Sequence, residues 1–158
     1  MNIITYPNPI LKKKSIKVDV KEIKNKKFQK LCLDMIQTMK EKNGKGLAAP
    51  QIGKNIRVII VDTKEGQIAM INPVITKTSW TKEWGDEGCL SVLTSSREVI
   101  FGKVKRYKKI NYKYIDKNGQ EIKIKANGLL ARIIQHEIDH LDGVLFIDNL
   151  SFIKNSKI

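Results

Sequence analysis

Between residues 25 and 43 the apolar positions Phe28, Leu31, Cys32, Met35, Ile36 and Met39 recur at helical spacing, with Lys30, Asp34, Gln37 and Lys40 between them. The pattern predicts an amphipathic helix stopped by Asn43-Gly44. Cys32 falls on the apolar stripe and reads as a packing residue. Strands are predicted over 57–62, over 68–71 up to the Asn72-Pro73 break, and over 74–80. Residues 103–115 alternate as one strand through Val104, Arg106, Lys108, Ile110, Tyr112 and Tyr114. The turn Asp116-Lys-Asn-Gly119 then leads into 120–125, giving a hairpin. A second helix is expected over 127–141, with Asn127 as N-cap and Asp142-Gly143 as its stop. Residues 144–149 read as a short strand, and the last residues as a polar, frayed end. Before all of these, Tyr6-Pro-Asn-Pro-Ile-Leu forbids a helix interior and predicts an extended or turned arm.

Two helices among mostly antiparallel strands make an α+β fold, with strands around the second helix and one amphipathic helix near the N-terminus. At 158 residues the chain fits one domain, 1–158, and it shows no repeats, linkers or low-complexity blocks. Thirty Lys and Arg against sixteen Asp and Glu leave a formal charge of +14, which favours encounter with phosphate-rich or acidic partners. A basic nucleic-acid or ribosome-binding module without catalysis is one reading of that charge. Against it, the chain lacks an aromatic-rich basic strand and the paired cysteines of a zinc knuckle, so no sequence-specific nucleic-acid partner is expected. Two isolated cysteines, Cys32 and Cys89, suggest a reducing compartment. With no signal-peptide pattern and no apolar run near the ~18 residues of a membrane span, the expectation is a cytoplasmic protein, or an organellar one had a targeting segment been trimmed.

The chemistry is concentrated in Gln135-His136-Glu137-Ile138-Asp139-His140. His136 and His140 lie four residues apart, so both imidazoles project from one face and can grip one ion, while Glu137 sits beside them to move a proton. They are the only histidines in the chain, so a third side-chain ligand must be Cys, Asp or Glu. Few residues remain after the motif to supply a downstream glutamate. Upstream, Cys89 follows Gly88 in Asp86-Glu87-Gly88-Cys89-Leu90-Ser91 and offers a soft thiolate. In Gly44-Lys45-Gly46-Leu47-Ala48-Ala49-Pro50-Gln51 the Gly-Lys-Ser/Thr ending of a phosphate loop is missing, and Gln51 can donate to a developing oxyanion. A metallopeptidase with the same helix motif is the alternative reading.

Three segments in this order, Gly44–Gln51, Glu87–Ser91 and Gln135–Leu141, closely resemble the peptide deformylase family, and the likeness extends over Tyr6-Pro-Asn-Pro-Ile-Leu and 144–149. The resemblance implies a hydrolase that removes the N-formyl group from the formylmethionine of new polypeptides and releases formate. It implies Cys89, His136 and His140 as ligands of one divalent metal, natively Fe2+, with Zn2+, Ni2+ or Co2+ possible in purified protein. Glu137 is implied as the acid/base, and Gln51 with the Leu90 N–H as the oxyanion hole. Lys45, Gly46 and Gly88 would pair with an extended peptide through their backbones. Leu129 and Ile133, on the helix face of His136, would line a methionine pocket, and Arg106 would brace the helix through Asp139. The implied partners are N-formylmethionyl nascent peptides, and the ribosome surface through the basic charge. Departures are Lys45, where an apolar residue is commoner; Leu93 in place of a proline; a longer 93–103 segment; and a short C-terminal region. Lys45 is expected to extend a positive field to the site's edge and favour acidic residues after methionine.

Overall fold

The computed structural model describes residues 1–154, with side chains through residue 150; the predicted frayed end, 155–158, lies outside the described residues. Helix α1 (Lys26–Glu41) starts where Asn25 caps Lys27 N–H through its side chain, and it buries Cys32, Met35 and Met39. Strands β1 (Gly46–Ala48), β2 (Val58–Thr63), β3 (Gly66–Thr78), β6 (Lys109–Ile115) and β7 (Glu121–Asn127) form an antiparallel sheet in the order β1-β2-β3-β6-β7. A second antiparallel sheet holds β4 (Lys82–Leu93), β5 (Val99–Tyr107) and β8 (Leu150–Lys154) in that order. Helix α2 (Gly128–Leu141) packs on the larger sheet and reaches β5 of the smaller one. The expected α+β architecture with a central helix is the one observed.

The run Val58-Ile59-Ile60-Val61 is apolar without alternation because β2 is covered on both faces. Ile59 and Val61 join the cluster under α2 with Met70, Ile110 and Ile134, whereas Val58 and Ile60 join Met35, Met39 and Leu47 under α1. A third cluster, with Leu11, Val104, Leu145 and Phe146, seals the smaller sheet against the N-terminal arm.

Four sequence readings are corrected. Asn72-Pro73 does not end a strand: β3 runs through it with a register shift between Ile71 and Val74. Asn72 adopts φ 52°, and its side-chain amide exchanges two hydrogen bonds with the backbone of Val18, at 2.9 and 2.8 Å, which holds the bulge. Residues 103–115 are two strands, because the chain changes sheets at Lys108, whose N–H donates to Thr81 and whose carbonyl accepts from Gly128. Burial stays in phase across that corner, with Val104, Arg106, Ile110 and Tyr112 all buried, so the alternation reads as unbroken. Residues 144–149 hold a 3-10 turn, Phe146–Asn149, and the strand follows it. Strands β1 and β4 were not expected; β1 is only three residues long, and β4 carries glycines at 85 and 88 that obscure its pattern.

Candidate metal centre and peptide cleft

Cys89 arrives on β4, and His136 and His140 on α2, all buried. One ligand atom from each lies within 4.8 Å of the others, and Cys89 Sγ is 3.2 Å from His140 Nε2. The donors fit a single divalent d-block ion. A cysteine sulfur and two imidazoles, with His140 turning Nε2 toward Cys89, form a soft donor set of the kind such an ion takes.

Around this cluster the charges are paired. Glu87, buried on β4, accepts from Arg106 Nε at 2.9 Å and Nη2 at 3.0 Å, from Arg132 Nη1 at 2.9 Å, and from His136 Nδ1 at 2.9 Å. Burial pushes the Glu87 carboxyl up, but the hydrogen bonds from His136 and Arg106 outweigh it and hold it at about 2. The bond to His136 Nδ1 fixes the ring's orientation and leaves Nε2 for an ion. Arg106 also pairs with Asp139, so β5 grips α2 from one side. From the other, Arg57 donates to the Leu141 carbonyl at 3.3 Å and to Asp142 at 2.7 Å, placing a cation at the helix C-terminus. Gln135 exchanges two 3.0 Å hydrogen bonds with the backbone of Tyr107 beside the β5–β6 corner.

Glu137 is buried with Oε2 unpartnered among the described residues, and burial pushes its carboxyl up to about 7. Such a carboxyl can both take and give a proton near neutrality. Gly46 passes against it so closely that any Cβ there would overlap the Glu137 carboxylate. Gln51 holds the Ala48 N–H through Oε1 at 2.8 Å, and its Nε2 lies 3.5 Å from Cys89 Sγ and 3.1 Å from Ser91 Oγ. The β4–β5 register breaks between Gly88 and Leu93, which takes Leu90 out of the ladder.

A cleft of about 340 Å³ opens onto Cys89, His136 and Glu137. It runs between the free edges of β1 and β4, each the outermost strand of its sheet. Leu129 and Ile133 line it, as do Gln51, Gly46, Gly88 and Leu90, so the residues singled out in the sequence meet at one place.

A family model described as polypeptide deformylase matches residues 1–156. The chain belongs to the peptide deformylase family. Among its relatives, the peptide deformylase of Thermodesulfovibrio yellowstonii is 45% identical over 98% of this chain and 91% of its own length. That of Dictyoglomus thermophilum is 48% identical over 89% of this chain and 86% of its own. In structure the chain is similar to the deformylase of Thermotoga maritima, with a TM-score of 0.88 and 36% identity, covering 96% of this chain and 97% of that one. It is also similar to a Met-Ala-Ser-bound deformylase from Acinetobacter baumannii, with a TM-score of 0.86 and 34% identity, covering 95% of this chain and 98% of the other. Its activity is therefore deformylase activity, a metal-dependent hydrolysis of the N-formyl group on newly made polypeptides, and the metallopeptidase alternative is not favoured.

Two residues of this deformylase site escaped the sequence reading. Glu87 was visible inside its motif, but nothing local marks it as the partner of a histidine 49 residues away. Arg132 had a signal: a guanidinium on the buried face of α2 demands a carboxylate, and it finds Glu87 together with the Val104 and Glu83 carbonyls, each at 3.0 Å. Gly85 makes room for it, since a Cβ there would sit 2.7 Å from the guanidinium. Lys45 lines the rim of the cleft, and its exposed ammonium pairs with Asp62 at 2.9 Å.

Proposed function

We propose that residues 1–158 act as one catalytic domain in which Cys89, His136 and His140 hold a single divalent cation, natively Fe2+ and replaceable by Zn2+, Ni2+ or Co2+. The convergence of three buried donor atoms beside the unpartnered Glu137 carboxyl is the observation that carries this reading. The soft thiolate favours a d-block ion over a hard one. A cation held there supplies Lewis acidity toward the formyl carbonyl and toward water.

Glu137 takes the proton of the attacking water and returns it to the leaving amine, releasing formate. The oxyanion formed on the formyl carbon accepts from the Gln51 amide and the Leu90 N–H, donors of a kind worth a few kcal/mol at the transition state. The peptide lies as an added strand between β1 and β4, pairing with the backbones of Lys45, Gly46 and Gly88. Two unoccupied strand edges facing one cleft support this, as does the Met-Ala-Ser bound to the Acinetobacter relative. Leu129 and Ile133 receive the methionine side chain, and such an apolar pocket discriminates by roughly 1–3 kcal/mol per methylene.

The natural substrates are the formylated ends of nascent chains, met in the cytoplasm and close to the ribosome. The +14 charge supports attraction to a phosphate-rich surface, and two free cysteines suit a reducing compartment. No helix among the described residues is long and apolar enough to cross a membrane. The test is formate release from formyl-Met-Ala-Ser by anaerobically purified protein, alongside acetyl-Met-Ala-Ser. Rapid release from the formyl peptide with the internal peptide bonds intact is expected; cleavage between Met and Ala would overturn the reading.

A further inference from the structure

The sheet faces turned away from α2 carry features that the metal centre leaves unexplained. Alternate residues point outward on both sides of the corner at Lys108: Lys105 and Tyr107 on β5, then Lys109 and Asn111 on β6. Trp84 and Lys82, opposite Lys105 and Tyr107 on β4, share this face, as do Lys77 of β3 and Lys125 of β7, both opposite Asn111. At the corner stands Trp80, in the turn from β3 to β4, wholly exposed at 101%; Trp84 is 52% exposed. Both tryptophans of the chain therefore belong to this surface.

The turn that displays Trp80 is anchored. Ser79 N–H donates to the Lys109 carbonyl at 2.9 Å, and Ser79 Oγ accepts from Lys109 N–H at 3.2 Å and donates to the Thr81 carbonyl at 2.8 Å. A ring held in water by a fixed backbone is a contact made ready in advance. On one side of it a groove of about 490 Å³ is lined by Lys77, Lys109 and Lys125 with Ser79, Asn111 and Asn127, and by no carboxylate. On the other, the Lys82 ammonium lies 4.4 Å over the Tyr107 ring and that of Lys105 5.6 Å over Trp84. The two carboxylates on the neighbouring part of β4 are already matched, Glu83 by Lys108 at 3.9 Å and Asp86 by Lys103 in the opposite register position. Lys77, Lys82, Lys105, Lys109 and Lys125 are left with no acidic partner among the described residues.

Exposed indole rings beside uncompensated lysines are the two components of a surface for single-stranded nucleic acid: the rings stack on bases, the ammonium groups hold phosphates, and no sequence is read. We propose that this face binds an unpaired segment of RNA, with bases on Trp80 and Trp84 and the backbone carried into the groove of Lys77, Lys109 and Lys125. The aromatics are divided between a turn and two strands, so no one strand reads as aromatic-rich in the sequence. A duplex keeps its bases in its own stack and offers these rings nothing. RNA is the occupant because the enzyme acts on newly made polypeptides, which arise beside RNA. The proposal gives a location to the attraction for phosphate-rich surfaces inferred from the +14 charge, and it uses no residue of the metal centre.

Because Trp80 and Trp84 are the chain's two tryptophans, the intrinsic fluorescence of zinc-loaded enzyme reports on this face. An oligouridylate of about twelve nucleotides should quench it saturably, and three phosphate contacts predict an affinity that falls about 20-fold between roughly 50 and 200 mM salt. With dye-labelled RNA followed by anisotropy, Trp80→Ala should weaken binding at least about fivefold, and Lys77→Gln/Lys109→Gln/Lys125→Gln should weaken it and flatten the salt dependence. Formate release from formyl-Met-Ala-Ser should be unchanged in both variants, so a failure here is distinguishable from a failure of the deformylase reading. The proposal is overturned if Trp80→Ala binds the RNA like the parent, if duplex RNA binds as tightly as the single strand, or if the triple lysine variant keeps the parent's salt dependence. It is equally overturned if phosphatidylglycerol vesicles shift the emission while RNA leaves it unchanged, which would give the face to a membrane.

Discussion

Replacing Glu87 by glutamine keeps the side chain's shape and removes one charge at the point where β4, β5 and α2 meet. Each carboxylate oxygen accepts two charge-assisted hydrogen bonds, from Arg106 and Arg132 at Oε1 and from Arg106 and His136 at Oε2. An amide has only one acceptor oxygen, so its NH2 must face a guanidinium or the imidazole N–H, and two buried arginines are left without a full countercharge. Arg106 keeps Asp139 and Arg132 keeps its carbonyl acceptors, so neither is abandoned outright. Breaking a buried pair costs about 3–5 kcal/mol. At roughly 2–4 °C per kcal/mol for a domain of this size, the metal-free protein should melt about 6–20 °C lower. A second effect is separable: His136 loses the acceptor that orients its ring, which should weaken metal binding by about 10–100-fold. Calorimetry on chelator-treated protein reads the first effect, and chelator competition on the loaded protein reads the second. If Glu87→Gln melted within about 2 °C of the parent and held metal equally well, the four bonds to this carboxylate would not be the structural anchor argued here.

Cys32, buried in the α1 cluster, has its thiol pushed up by burial to about 11 against 9.0 for a free thiol. Between those values the unfolded chain has released a proton that the folded chain keeps, so stability is full below pH 9 and falls as pH rises toward 11, by up to about 3 kcal/mol. Melting curves at pH 8 and pH 10.5 should show that loss in the parent, and Cys32→Ala should show correspondingly less of it. Cys89→Ser should lose most of its metal under conditions that load the parent fully, and anaerobically prepared iron protein should lose activity in air while nickel- or cobalt-loaded protein persists. With Lys45 exposed and paired with Asp62 at 2.9 Å, the ratio of kcat/KM for formyl-Met-Glu and formyl-Met-Lys peptides at low salt should change less than about fivefold in Lys45→Ile, an exposed pair being worth under ~1 kcal/mol.

Local chemistry carried most of the site. His136, Glu137 and His140 are legible because helix geometry alone places them together, whereas the missing third histidine leaves Cys, Asp or Glu open, and Cys89 is singled out by the resemblance of its motif to the family. Long-range partners carry no such mark: Glu87 could be tied to Arg132 and His136, 45 and 49 residues away, only after folding, and the guanidinium of Arg132 signalled the need for a carboxylate without saying which. In the fold, periods were legible and interruptions were misjudged. Asn72-Pro73 looks like a strand end until the amide of Asn72 is seen bonding Val18, 54 residues away. The sheet change at Lys108 is invisible because the same parity of side chains is buried on both sides of it. The pairing of Lys45 with Asp62 on the neighbouring strand was likewise not legible.

The account rests most heavily on the division of labour between ligands and proton carrier, and Glu137→Ala tests that division in one sample. Metal content by elemental analysis and formate release from formyl-Met-Ala-Ser should be measured on the same anaerobic preparation. Glu137 carries no metal in this account, so about one ion per chain should remain while kcat falls by at least 10²–10⁴-fold. Turnover within about threefold of the parent at full metal occupancy would contradict the assignment of Glu137. Loss of the metal along with the activity would contradict the separation of ligands from acid/base.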